Sequence, residues 1–183
     1  MRPVIHSRRV TGFTLVELVA VVVLIAVLAA VMLKTFVDYA EAAEKSAMEQ
    51  VASSVRAGLH MRVAGMIALS ADAPIAGLAK QNPMDWLAEK PHIYVGKIHG
   101  VAPPELAPPR SWYYDTRAHE LVYRPSRTRH LSFPHNAHKE IRFKVWVEQG
   151  VLPGGESLPE PLRGVRRVEL APVEAYSWDV SAS

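Results

Sequence analysis

The chain has no cysteine among its 183 residues. That absence excludes a disulfide framework, a thiolate nucleophile and every cysteine-ligated metal centre, so any extracytoplasmic domain it forms is held by its own core. Catalytic signatures are lacking too. There is no Gly-x-Ser-x-Gly elbow, no Walker loop and no His-Glu-x-x-His, and the chain is not expected to be an enzyme. Charge of one sign is scarce once the N-terminus is set aside. The net charge is +3, but Arg2, Arg8 and Arg9 precede residue 13; taking these three from 21 basic residues leaves 18 against 18 acidic ones. Such a balance is no footprint for nucleic acid. Only one long charge-free apolar run exists, Leu18 to Leu33. Internal repeats are absent, and the roughly 150 residues beyond residue 33 suffice for one domain with its own core.

Immediately before that run stands Gly12-Phe13-Thr14-Leu15-Val16-Glu17. A carboxylate so near the start of a membrane-length segment costs on the order of 2.5 to 3.5 kcal/mol, so Glu17 needs a partner or a purpose. The glycine before an aromatic, after a basic leader, places a processing site ahead of the apolar run, whereas an ordinary secretory signal is cut after it. Cleavage between Gly12 and Phe13 would free an α-amine on Phe13, ordinarily with a pKa of roughly 7.7 to 8.0 and mostly protonated near neutrality. A cation and an anion would then lie at one membrane depth. They can pair within one helix, as i and i+4, or between neighbouring subunits, where pairing rewards correct axial stagger; the alternative is a Glu17 that snorkels to the headgroups. A twin-arginine signal at Ser7-Arg8-Arg9 is disfavoured, because the nearest Ala-x-Ala, Ala40-Glu41-Ala42, lies beyond Lys34 and Asp38. Phe13 to Leu33 is 21 residues, roughly 32 Å of helix, enough to span a bilayer once. The arginines ahead of it place the leader in the cytoplasm and everything after Lys34 on the far side.

The N-terminus resembles the prepilin leader and helix of type IV pilins and type II secretion pseudopilins, over roughly the first third of the chain. Gly12 matches the last leader residue, Phe13 the N-methylated mature terminus and Glu17 the glutamate of the mature helix. The resemblance implies a leader, 1–12, removed by a prepilin peptidase. It also implies a single-pass protein of the bacterial inner membrane with its C-terminal domain in the periplasm. An assembly platform in that membrane then moves it from lipid into a filament with other pilin or pseudopilin subunits, Glu17 pairing with the Phe13 amine of a neighbour. Many type IV pilins carry a C-terminal disulfide, so the missing cysteines lean toward a type II secretion pseudopilin. A minor pilin of a type IV pilus, serving adhesion, motility or DNA uptake, stays open. So does an uncut membrane anchor presenting a periplasmic binding domain, which explains the apolar run but not Gly12, Phe13 and Glu17 together. Lys34 stands where the family often has a proline, so the usual kink is not implied here.

Helical patterning continues past the membrane. Ala43, Ala47, Val51, Val55, Leu59, Val63 and Ile67 recur every four residues, widened by Ala40, Met48, Ala52 and Met66, while Glu41, Glu44, Lys45, Glu49, Arg56 and Arg62 lie mostly off this stripe. One helix is expected from Phe13 to about Ser70, with 13–33 in the membrane and 34–70 amphipathic. Gly58 and Gly65 weaken it by about 1 kcal/mol each.

The stripe needs a cover, and 71–183 supplies strand patterns for a periplasmic β-sheet domain. After Asp72-Ala73-Pro74 the chain turns irregular; Asn82-Pro83 reads as the cap and first residue of a short helix through Trp86. His92 to Val95 is a short strand. Trp112 to Asp115 and Leu121 to Arg124 flank Thr116-Arg117-Ala118-His119 as a hairpin, and Ile141 to Val147 alternates apolar and polar residues. Val165 to Leu170 and Ala175 to Val180 are expected to close the sheet, with Pro-rich connections at Val101 to Arg110 and Leu152 to Leu162. The fold class is therefore α+β; the resemblance implies a pilin-like fold, a long N-terminal helix packed on a small antiparallel sheet.

Two clusters invite chemistry. His130, His135 and His138 lie between strands, but without cysteine or a spaced carboxylate they read as a solvated loop and not a zinc site. Trp86, Trp112 and Trp146 read as packing residues before they read as a glycan or peptide platform. Some major pseudopilins hold calcium in a C-terminal loop; Glu169, Glu174 and Asp179 do not alternate as such a loop requires. No metal and no cofactor is expected.

Overall fold

Thr14 starts the helix. Its hydroxyl accepts the backbone N–H of Glu17 at 3.3 Å and its carbonyl accepts that of Leu18 at 3.1 Å, the geometry of an N-cap serving donors that the first turn leaves orphaned. From there α1 (Leu15–Ala68) runs for 54 residues without a break; it contains no proline, and Ala, Leu and Val dominate its first half. The computed structural model describes residues 13–69, 75–134, 139–149 and 165–180. Residues 1–12, expected to be a leader ending at Gly12, the segment Asp72 to Pro74, His135, His138 and the connection 152–162 lie outside the described residues. Two compact units divide the chain, one ending at Ala40 and the other running from Glu41 to Ser181.

The first unit is the apolar half of α1. Among the described residues, the second holds the rest of α1, two short 3-10 turns (Ile75–Lys80 and Pro83–Trp86) and seven strands: β1 (Tyr94–Ile98), β2 (Ser111–Asp115), β3 (Glu120–Arg124), β4 (Leu131–Ser132), β5 (Ile141–Gln149), β6 (Val165–Pro172) and β7 (Ser177–Trp178). Asn82 caps the second 3-10 turn, its side chain accepting the Met84 N–H, with Pro83 in the first position as expected. The main sheet has the order β1-β2-β3-β5-β6. β2–β3, β3–β5 and β5–β6 are antiparallel. The α+β architecture expected from the sequence, a long N-terminal helix followed by a sheet, is the one observed, and the sheet is dominated by antiparallel pairs.

Alternation sorts the strands. Trp112 of β2, Leu121 and Tyr123 of β3, and Ile141, Phe143 and Val145 of β5 form one cluster with Met48, Ala52, Val55 and Leu59 of α1. The Trp112 ring lies 4.9 Å from that of Tyr123 and 5.7 Å from that of Phe143. Opposite residues of the same strands, Tyr113 and Val122, pack beneath Ala102 and Ala107 of the Pro-rich connection. The sheet is thus covered on one face by the helix and partly on the other by its own loop.

Three expectations are corrected. The buried face of α1 keeps the expected stripe from Met48 on, where Met48, Ala52, Val55 and Leu59 are buried and Val51 and Val63 pack against the core, but departs from it at its start: Ala43 and Ala47 are exposed, whereas Glu41 and Glu44 are buried. Each four-residue step over-rotates a 3.6-residue helix by about 40°, so a strict i+4 series winds off the face that mixed steps of three and four keep. The sheet is not wholly antiparallel, because β1 pairs with β2 in parallel; the Pro-rich connection returns the chain to the same end of the sheet, as parallel neighbours require. Finally, β7 does not close the main sheet. It pairs with β4, Leu131 opposite Trp178, in a separate two-stranded piece, since Trp178 turns inward to a partner on α1.

Candidate functional site

Thr14 and Glu17 stand at the spacing of a capping box, Thr-x-x-Glu, which sequence inspection had the means to find. Phe13 precedes the cap and is 70% exposed. From Phe13 to Leu33 every side chain is exposed, Glu17 included. This is the only helix among the described residues long and apolar enough to cross a membrane. A helix apolar on all sides is stable only when lipid or other protein surrounds it. Phe13 and Glu17 therefore open a surface that must be covered.

Where the second unit begins, α1 carries a pair of buried glutamates that the sequence had placed on the polar face. Glu41 is 1% exposed. Its Oε1 accepts the His130 backbone N–H and the Trp178 indole N–H, both at 3.0 Å, and its Oε2 lies 3.0 Å from His130 Nδ1. Burial acts to raise its pKa, but the two N–H donors and the imidazole outweigh it and hold the carboxyl below its ordinary value. One turn on, Glu44 accepts the Tyr123 hydroxyl (3.1 Å), the Ser126 N–H (2.6 Å) and the Ser126 hydroxyl (2.6 Å), with Arg127 Nη1 at 3.6 Å. Burial, then the Glu44 charge, raises the Tyr123 pKa. Together the two carboxylates seat the β3–β4 connection and β7 on the helix. They form a latch.

On the other sheet face an ion-pair network ties the strands. Arg124 donates to Glu140 at 2.7 Å and to the Ala102 and Ala107 carbonyls, both at 2.6 Å. Arg142 reaches Glu120 (3.0 Å), Glu140 (3.1 Å) and Asp115 (3.4 Å). Asp115 also accepts the N–H groups of Gly100, Arg117 and Ala118. Burial raises its pKa, and these donors with Arg142 more than reverse that, leaving it lowered. The arginines fix the Pro-rich loop and the hairpin turn to the sheet.

Of the residues singled out in the sequence, His130 and the tryptophans are among the described ones. His130 is occupied by Glu41, and no group of three or more His, Cys, Asp or Glu suited to a metal occurs among the described residues. Trp112 is fully buried between α1 and the sheet, while Trp146, 46% exposed, stacks near Lys144 on the opposite face. Trp86 lies in the second 3-10 turn beside Gly58.

A family model described as the prokaryotic N-terminal methylation motif matches residues 7–33. The match covers the basic residues Arg8 and Arg9, Gly12, Phe13, Glu17 and the apolar run of α1. Comparison with curated proteins and with solved structures finds no match.

Proposed function

We propose that this type IV pilin-like, prepilin-type protein is a structural subunit of a type II secretion pseudopilus. The observation that carries the proposal is the capped helix whose side chains are exposed on every side from Phe13 to Leu33, coincident with the methylation motif. In the inner membrane lipid covers that surface. In a filament the same segment of neighbouring subunits covers it, so extraction need not bring it into water. A prepilin peptidase cuts between Gly12 and Phe13 and Phe13 is methylated; the new ammonium then meets Glu17 of an adjacent subunit. Phe13 lies outside α1 and ahead of its cap, which favours pairing between subunits over pairing along one helix. The latch at Glu41 and Glu44 keeps the strands of a periplasmic domain seated on the part of α1 that belongs to the same unit. The lack of cysteine supports the secretion system over the pilus.

The test is the intact mass and N-terminal sequence of the protein from cells with and without a prepilin peptidase. A chain beginning at methylated Phe13 only when the peptidase is present is expected; a leader retained in both overturns the assignment. Deleting the protein should stop export of a type II substrate and leave surface pili intact, and the reverse pattern would make it a minor pilin. Glu17→Val should insert normally but enter filaments poorly.

A further inference from the structure

Away from the N-terminus and the latch, the second unit holds an open groove of about 740 Å³ between the later turns of α1, the two 3-10 turns and the β2–β3 turn, within the size range of small-ligand sites. Its charge is one-sided. Arg62, Lys80 and Lys97 line it against a single carboxylate, Asp85. That carboxylate is already engaged, 2.7 Å from Lys90 and 2.9 Å from Lys97. Arg62 and Lys80 are exposed and have no ion pair among the described residues. Two cations are therefore left facing an open groove without a counter-charge.

The walls are held in place. The Tyr114 hydroxyl donates to the Lys80 carbonyl at 3.0 Å, and the Trp86 indole N–H donates to Gln81 at 3.3 Å, which fixes the half-buried ring in the groove wall. Asn82, buried, donates to the Tyr94 hydroxyl at 3.0 Å and caps the turn that carries Trp86. A pre-set wall lowers the ordering cost of binding. An indole beside two unpaired cations and amide groups suits a ligand with an apolar ring face, hydroxyls and a carboxylate on each unit.

We propose that this groove binds an acidic oligosaccharide, a chain of uronate sugars whose carboxylates meet Arg62 and Lys80 and one of whose rings stacks on Trp86. The site is independent of the filament assignment. A lipid-embedded or monomeric chain presents it equally.

The experiment is calorimetric titration of the full chain in detergent micelles at physiological salt, with a galacturonate hexamer, a neutral glucose hexamer and a glutamate hexamer as probes. The galacturonate hexamer should bind saturably. The double variant Arg62→Gln, Lys80→Gln changes only exposed side chains and should weaken it about tenfold or more, while Arg166→Gln, outside the groove, should leave it unchanged. No saturable binding, or binding indifferent to the double variant, overturns the proposal. Equal binding of the glutamate hexamer also overturns it and makes the groove an acidic-peptide site.

Discussion

Glu44 accepts the buried Tyr123 hydroxyl and both polar groups of the exposed Ser126. Glu44→Ala should therefore cost about 2 kcal/mol, read from urea unfolding, because it strands the Tyr123 hydroxyl while Ser126 can turn to water. Glu41 adds a pH signature. Its folded carboxyl titrates below an unfolded glutamate near pH 4.3, so its contribution is complete above that value and is lost as pH falls through the lower, folded one. Asp115 acts in the same direction. Melting temperatures should fall steeply below about pH 4.3, and Glu41→Gln should flatten that acid limb while lowering stability by about 1 to 2 kcal/mol at neutrality; an unchanged limb would remove Glu41 from the account. Glu17 was legible in the sequence because a lone carboxylate in an apolar run demands explanation. Glu41 and Glu44 were not, since glutamates on an amphipathic helix look like solvent-face residues until Ser126, His130 and Trp178 arrive from distant parts of the chain.

Local patterns announced the elements whose partners are local. The β2–β3 hairpin, the Asn82-Pro83 cap and the alternation of β5 all depend on residues a few positions apart, and each is where the sequence placed it. Pairings across long connections were less visible. β1 was seen as a short strand, but its parallel partner depends on how the loop 99–110 travels, and the two-residue β4 is too brief for any period to show. That loop is held by Arg124 through the Ala102 and Ala107 carbonyls. Arg124→Met should loosen it: amide exchange across 101–110 should quicken while the buried turns of α1 near Val55 stay protected, with a stability loss of about 3 kcal/mol from the broken buried pair. Uniform acceleration across both regions would mean the arginine supports the whole fold and not the loop.

At the scale of the molecule, the contacts of the main core lie within the second unit, from Met48 to Trp178. A fragment beginning at Glu41 should accordingly remain soluble without detergent and melt cooperatively, as checked by circular dichroism and gel filtration; aggregation or a broad, non-cooperative melt would show that the apolar half of α1 is needed for folding. The Trp178 to Glu41 hydrogen bond, spanning 137 positions, also sets a timetable. A ribosome delivers the glutamate first and the tryptophan on the order of 10 s later, when the apolar segment has long since emerged. Until then Glu41 lacks one of its two N–H donors to Oε1, and the β4–β7 ladder has only one side. A chain broken off during synthesis or clipped before residue 178 thus carries the whole apolar half of α1 and an unfinished domain. Copies ending ahead of residue 178 should accordingly be digested faster by a protease in solution than the full chain, because the bond that closes the fold is the last to become available.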